Sequence, residues 1–222
     1  MLIAECRLRL ARPIRGHESP RLRGFFGRKF EDQVLMHNHG PDGALLYQYP
    51  RIQFKVLRSH AFLIGVEAGA RLLERLWLEI DQTTLGNELL PVLESRFELR
   101  EEPLAVCESP IRYRFLTPWL ALNQENFRAY QRVPRSDFRH QELARILVGN
   151  CLSLGKSLGV RFEERIQADV QDLRSIQTSL KGNAMMGFIG RFDVNVRLPE
   201  LVGLGKSVSR GFGAISTETR GS

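Results

Sequence analysis

The sequence predicts an α+β protein made of two tandem βαββαβ units, the second with its second helix reduced or lost. Three observations carry this. Strict apolar–polar alternation recurs along the chain and marks half-buried strands. Apolar residues at helical spacing lie between those strands. A stretch with two prolines and several acids, residues 100 to 110, divides the chain near its middle. A length of 222 residues suits one large domain or two of about 100 residues each. The halves are taken as 1–102 and 103–222.

In the first half, Leu2, Ala4, Cys6, Leu8 and Leu10 share one face while Glu5, Arg7 and Arg9 share the other. This is a strand with one side buried. "GHESP" then offers Ser19 as N-cap and Pro20 as first helical residue. Leu22, Phe25, Phe26 and Phe30 follow at helical spacing, with Gly24 and Gly27 weakening the pattern. After "HNH" and the turn "GPDG" come two strand-like runs, "ALLYQYP" and "RIQFKVL", and then "AFLIGV". Gly69, Leu72, Leu73, Leu76, Trp77 and Ile80 form an amphipathic helix. "SRFELR" is the last alternating strand of this half. The order βαββαβ is the split βαβ pattern of ferredoxin-like domains.

The second half repeats the order. "IRYRFLTP" reads as a strand. Leu143, Ile146, Leu147, Asn150, Cys151, Leu154 and Leu158 mark the clearest helix of the chain. Ile166, Ala168 and Val170 alternate with polar residues. From Ala184 to Leu198 every even position is apolar or glycine, a long strand with one buried face, expected to form a hairpin with 164–173. "RGFGAIST" supplies a short final strand. The two halves repeat in pattern and not in sequence.

Composition narrows the partner. The net charge is +7, and of the 32 basic residues 27 are Arg and five Lys. A basic excess favours an anionic partner, nucleic acid being the commonest. Arginine suits that role through bidentate phosphate contacts and stacking; a GC-rich coding sequence also raises arginine, so the bias alone decides nothing. No apolar run approaches the ~20 residues that span a bilayer. The N-terminus "MLIAECRLRL" lacks the continuous apolar stretch of a signal peptide, so a cytoplasmic protein without membrane contact is expected. Cys6, Cys107 and Cys151 are far apart, forming neither a disulfide framework nor a C-x-x-C metal site, and read as small buried apolar residues.

"GLGKSVSRGFG", residues 203 to 213, is the most chemically suggestive segment. It is not a P-loop, because Glu200 stands where that pattern needs its first glycine. Gly203, Gly205, Gly211 and Gly213 allow close backbone approach and bare amides that could line an anion nest. Lys206 and Arg210 add charge, and Ser207 and Ser209 add short hydrogen-bonding groups. Glycine and serine also build plain surface connections. Against that, Leu204 and Phe212 are each held between glycines, which favours a shaped loop over a loose one.

This segment resembles the glycine-rich loop of the CRISPR-associated endoribonucleases that cut precursor guide RNA within its repeats, members of the repeat-associated RNA-binding superfamily. The resemblance extends in order through "LRGFFGRKF", "HNH", "YQYPRIQFKV" with "GVEAGARLL", "LVGNCLSLGKSLG" and "KGNAMMGFIGRFDVN", and the subfamily most resembled carries paired histidines. It implies tandem ferredoxin-like domains, CRISPR repeat RNA as substrate and no cofactor. The superfamily also contains members that hold repeat RNA without cutting it, and a non-catalytic subunit of a CRISPR ribonucleoprotein complex is the alternative reading. Effector-complex subunits and a second copy of the chain are further partners the resemblance allows.

The pair His37 and His39 fits RNA chemistry. A ribose 2′-hydroxyl adjoins every 3′-phosphodiester. One neutral imidazole can take its proton as it attacks phosphorus, and one imidazolium can protonate the departing 5′-oxygen, because histidine titrates near neutrality. The products are a 2′,3′-cyclic phosphate and a 5′-hydroxyl, without a metal. In an extended segment residues two apart project to the same side, whereas on a helix they point about 200° apart. The "GPDG" turn favours the extended form. Competing readings are an H-x-H metal site, for which Asp32 and Asp42 are the nearby acids, and ordinary loop histidines.

The resemblance also implies a lysine and a tyrosine beside the histidines. Lys29 would neutralise the pentavalent phosphorane, or is a solvated lysine at a helix end. Tyr47 or Tyr49 would orient the phosphate or stack on a base; Tyr49, before Pro50, looks the more structural. Arg51, Lys55 and Lys181 are RNA-contact candidates that also read as solvent-face residues. His17, His60 and His140 are isolated and receive no role.

Overall fold

The computed structural model describes residues 1–37, 49–132, 136–170 and 172–218. They form two compact units. One is Met1–Glu102 with Val208–Gly211, and the other is Pro103–Ser207 with Phe212–Ser222.

The first unit runs β1 (Leu2–Leu10), α1 (Ser19–Lys29), α2 (Val34–His37), β2 (Ile52–Leu57), β3 (His60–Val66), α3 (Ala68–Leu76), β4 (Gln82–Leu85) and β5 (Glu88–Glu101). Its antiparallel sheet has the order β2-β3-β1-β5-β4. With β4 set aside as an added edge strand, this is the ferredoxin-like order. The alternation of β1 places Ala4, Cys6, Leu8 and Leu10 in one core with Phe54, Leu63, Leu22, Phe26, Leu72 and Leu73. Phe26 stacks on Phe54 with ring centroids 5.8 Å apart, fastening α1 to β2. Each such large apolar side chain, fully buried, contributes roughly 1.5–3 kcal/mol from its area alone.

Local details depart from the sequence expectation. Ser19 is the first residue of α1 and not its cap; Glu18 precedes it. The Ser19 hydroxyl donates instead to the Phe54 carbonyl at 2.6 Å, so it ties the helix start to the sheet. The helix expected to reach Ile80 ends at Leu76 and continues as a 3-10 turn, Trp77–Glu79. The "GPDG" turn and residues 44–48 of the first strand-like run lie outside the described residues. Tyr49 and Pro50 belong to no regular element.

The second unit runs β6 (Ala105–Trp119), α4 (Gln124–Arg132), α5 (Ser136–Ser157), β7 (Ala168–Asp169), β8 (Leu173–Leu180), β9 (Asn183–Arg197) and β10 (Ile215–Thr217). Its sheet has the order β10-β6-β9-β7, with β8 also pairing β9. Taking β7 and β8 as one interrupted strand, the order repeats that of the first unit. Residues 198–214 hold a 3-10 turn, Val208–Arg210, and no α-helix, so the second helix is indeed lost. The buried stripe of α5 is Leu143, Ile146, Leu147, Cys151 and Leu154. Asn150, on the same helix, accepts a hydrogen bond from the Trp119 indole at 2.9 Å.

The hairpin partner of β9 corrects the sequence expectation. From 164–173, only Ala168–Asp169 and the first residue of β8 pair with β9; the hairpin proper is β8, turning at Lys181 and Gly182, whose φ values are 52° and 81°. A two-residue turn needs left-handed backbone at both central positions, and the glycine supplies one at no steric cost. β8 has no fully buried residue, so its sequence marks a buried face only weakly.

Candidate nucleic-acid interface

The glycine-rich segment is anchored by its three apolar residues, since Leu204, Val208 and Phe212 are all buried. Gly205 and Gly213 take left-handed backbone, with φ of 85° and 66°. A Cβ on Gly213 would stand 1.9 Å from the Leu204 carbonyl oxygen, and one on Gly205 would stand 2.6 Å from the Trp119 ring. Both positions therefore demand glycine for packing.

The backbone amides of this segment are not bare. Leu204 N donates to Gly213 O at 2.9 Å, Lys206 N to Leu120 O at 3.2 Å, Gly211 N to Val208 O at 3.4 Å and Gly213 N to Pro118 O at 2.9 Å. Gly203 forms an antiparallel bridge with Ala214. These four amides are committed to protein carbonyls, so they do not make the anion nest that glycine content suggests. The side chains that could meet an anion are those of Lys206, which is exposed, and of Ser207, Ser209 and Arg210, which are half-buried.

Val208–Gly211 belongs with the first unit. There the 3-10 turn packs on α1 and β2. Gly211, with φ 97°, approaches the start of α1 so closely that a Cβ would lie 2.5 Å from Ser19 Oγ. Arg23, one helical turn beyond Ser19, has its guanidinium lowered below the usual arginine range by burial and by the charge of Arg210. The sequence reading did not single out Arg23. The signal for it is a contact between residues far apart in the chain, which no local pattern encodes.

The candidate acid–base residues lie around α2. Met36 is buried in the first core and fixes the end of that helix. His37 is its last residue. Its backbone is helical, so the extended geometry expected to aim both imidazoles to one side does not apply at His37. His39 and Tyr47 lie outside the described residues. Lys29, the last residue of α1, donates from Nζ to Asp81 Oδ1 at 2.8 Å and to the Glu79 carbonyl. That bond holds the Asp81 carboxyl below its usual range. Tyr49 accepts a hydrogen bond at its hydroxyl from Gln53 Nε2 at 2.8 Å.

The remaining basic candidates are dispersed. Lys181 is exposed at the tip of the β8–β9 turn. Arg51 is half-buried, and its carbonyl accepts from the Val66 amide at 2.8 Å. Lys55 is fully buried in the middle of β2, and its Nζ has no hydrogen-bond partner among the described residues. It sits on the sheet face opposite the helices, paired across to Phe62. Burial lowers its amine from 10.5 to about 7. In this arrangement the Lys55 amine is not presented to a polynucleotide.

Known proteins match along the whole described fold. The family model of the Cas6b N-terminal domain matches residues 1–103, and that of the Cas6b C-terminal domain matches residues 105–218. A crystal structure of Cas6b superposes with a TM-score of 0.90 at 30% identity, covering 98% of this chain and 100% of that one. A crystal structure of the CRISPR RNA processing endoribonuclease Cas6b gives 0.77 at 28% identity, covering 98% and 99%. An uncharacterized protein of Methanocaldococcus jannaschii is 36% identical over 138 residues, 62% of this chain and 93% of that protein.

Proposed function

The chain belongs to the Cas6b family, and from that premise we propose that it is a metal-independent endoribonuclease that cuts CRISPR repeat RNA to mature guide RNAs. The observation that carries the reading is the pair of family matches, which together run from residue 1 to residue 218 with one residue between them.

In the proposed step a neutral imidazole of the His37/His39 pair takes the proton of the 2′-hydroxyl. The freed oxygen attacks the adjacent phosphorus, and the bond from phosphorus to the 5′-oxygen breaks. The imidazolium of the other histidine donates its proton to that leaving oxygen. The products are a 2′,3′-cyclic phosphate and a 5′-hydroxyl. Each transfer contributes roughly 10²–10⁴-fold in rate. Lys29 stabilises the charge that builds on the phosphorane oxygens, after exchanging its exposed bond to Asp81 for the phosphate. Tyr47 orients the phosphate. Lys206, Arg210, Ser207 and Ser209 hold the strand by its backbone, which makes binding weaken steeply with salt.

The test uses labelled repeat RNA in EDTA, beside a copy carrying a 2′-deoxy sugar at the cut. The first should be cleaved and the second left whole, and His37→Ala or His39→Ala should abolish the cut while leaving RNA bound. Cleavage that needs magnesium or that tolerates the deoxy sugar would overturn the mechanism.

A further inference from the structure

Helix α1 breaks two rules of helix chemistry on one face, and no contact among the described residues explains either. Ser19–Lys29 carries Arg21, Arg23, Arg28 and Lys29 and no acidic residue. Arg21 stands in the first turn, where the helix dipole favours negative charge. Gly24 stands in the helix interior, where glycine is the least favoured residue after proline. Internal packing does not require it. A Cβ at Gly24 would meet only the flexible tip of Arg28, at 3.6 Å, which is ordinary contact. Its backbone is not left-handed either. Gly205, Gly211 and Gly213 differ, since each has both a positive φ and a Cβ clash under 3 Å.

Residues 21, 24 and 28 are three and four apart, so they share one side of the helix. Leu22, Phe26 and Phe30 form the buried side, which makes this the outward one. Arg21 and Arg28 are exposed there, and neither makes a hydrogen bond or an ion pair among the described residues. Lys29 is different, because Asp81 holds its amine. The two arginines stand roughly 10 Å apart along the helix axis. The gap between them has no side chain, and the Arg28 guanidinium leans over it. Places where local preferences fail together are expected to be functional.

A polyanionic strand supplies what this face lacks. Each guanidinium fork can take two phosphate oxygens, and a bare Cα lets a sugar–phosphate backbone come close to the helix. Arg28 also precedes Lys29, which the proposed step places at the reacting phosphate, so a strand lying on this face leads toward the cut.

We infer that the outward face of α1, built from Arg21, Gly24 and Arg28, is a strand-binding surface for the RNA. Arg21 and Arg28 each meet one phosphate, and Gly24 is the notch that lets the strand approach. This rests on the reading of the chain as an RNA-cutting enzyme.

The test is fluorescence anisotropy of the full chain with labelled repeat RNA made uncleavable by a 2′-deoxy sugar, repeated across a range of salt. Arg21→Gln and Arg28→Gln should each weaken binding about fivefold, as for one lost contact at an exposed site. Each should also lower the slope of log affinity against log salt by about 0.7, and the double variant by about 1.4, the share of two phosphates on a single strand. Gly24→Ala should melt at a higher temperature than wild type, because alanine favours helix, and yet bind the RNA more weakly. Thermal melts check that every variant folds; should a glutamine variant misfold, Arg21→Glu or Arg28→Glu repeats the comparison. A slope unchanged in either arginine variant would overturn the inference, leaving this face to water or to an acidic protein. So would Gly24→Ala binding as tightly as wild type, or melting lower, since packing within the chain would then require the glycine. Wild type that does not bind the RNA at all would instead sink the functional reading, and that outcome shows before any variant is compared.

Discussion

Replacing Lys55 with methionine should make the protein more stable, and by an amount that depends on pH. The amine is fully buried and its Nζ has no hydrogen-bond partner among the described residues. Burial alone lowers it from 10.5 to about 7. In the folded chain it therefore gives up its proton near neutrality, whereas in the unfolded chain it keeps the proton until about pH 10.5. Between those values the unfolded state binds more protons, so wild-type stability rises as pH rises. Below pH 7 the full penalty is present. At ~1.4 kcal/mol per pH unit the gap is worth about 5 kcal/mol. The linkage relation distributes this as about 5 kcal/mol at pH 6, about 3 at pH 8 and about 1 at pH 10. Methionine fills a similar volume without a charge to desolvate. Urea unfolding of wild type and Lys55→Met at those three pH values isolates the effect, because every other titration is shared by both. The account predicts a variant more stable than wild type at pH 6, with an advantage that shrinks toward pH 10. A variant less stable at pH 6, or an advantage that does not change with pH, would refute the argument that the lysine is desolvated and unpaired.

Gly213→Ala forces a Cβ to 1.9 Å from the Leu204 carbonyl at a φ of 66°; it should cost about 3 kcal/mol or more in a thermal melt. Arg12 donates to both oxygens of the buried Glu18 carboxylate, at 2.9 and 3.2 Å. Arg12→Ala should lower the melting temperature by stranding that charge. Because Arg12 lowers the Glu18 carboxyl below its usual 4.5, this contribution is present above that pH and is lost as acid protonates the folded form. Lys29→Gln should slow cleavage at saturating RNA by about 10²-fold or more. Asp81→Asn removes only an exposed partner and should leave the melting temperature nearly unchanged.

The sequence carried the fold wherever one face of an element is buried. β1 and β9 alternate over most of their length, and even-numbered residues such as Cys6, Leu8, Phe188, Phe192 and Val194 are buried, whereas Ile3 is buried off the pattern and Ala184, at the start of β9, is exposed. α5 shows its stripe for the same reason. Elements that pack little escaped notice. β4 is four residues, "QTTL", and the first half of β5, ahead of the expected "SRFELR", is largely exposed with a proline at 91. α2 is a single turn defined by one buried methionine. The hairpin partner of β9 lies beyond the expected 164–173 because β8 buries no residue fully and so signals its place weakly.

Much of the candidate site is set by contacts that composition does not encode. Glycine content correctly pointed to unusual backbone, but it suggested open amides where the structure commits four to carbonyls. Lys55 sits in an alternating strand whose polar positions normally face water, yet both Gln53 and Lys55 are buried. Only tertiary covering of that face decides this, and a single strand's pattern cannot report it.

The most direct measurement is the chemical identity of the ends made when repeat RNA is cut in EDTA, read by mass spectrometry of the fragments. A 2′,3′-cyclic phosphate on one fragment and a 5′-hydroxyl on the other is the predicted result. A 5′-phosphate and a free 3′-hydroxyl would require an external water as nucleophile, and would contradict attack by the substrate's own 2′-hydroxyl.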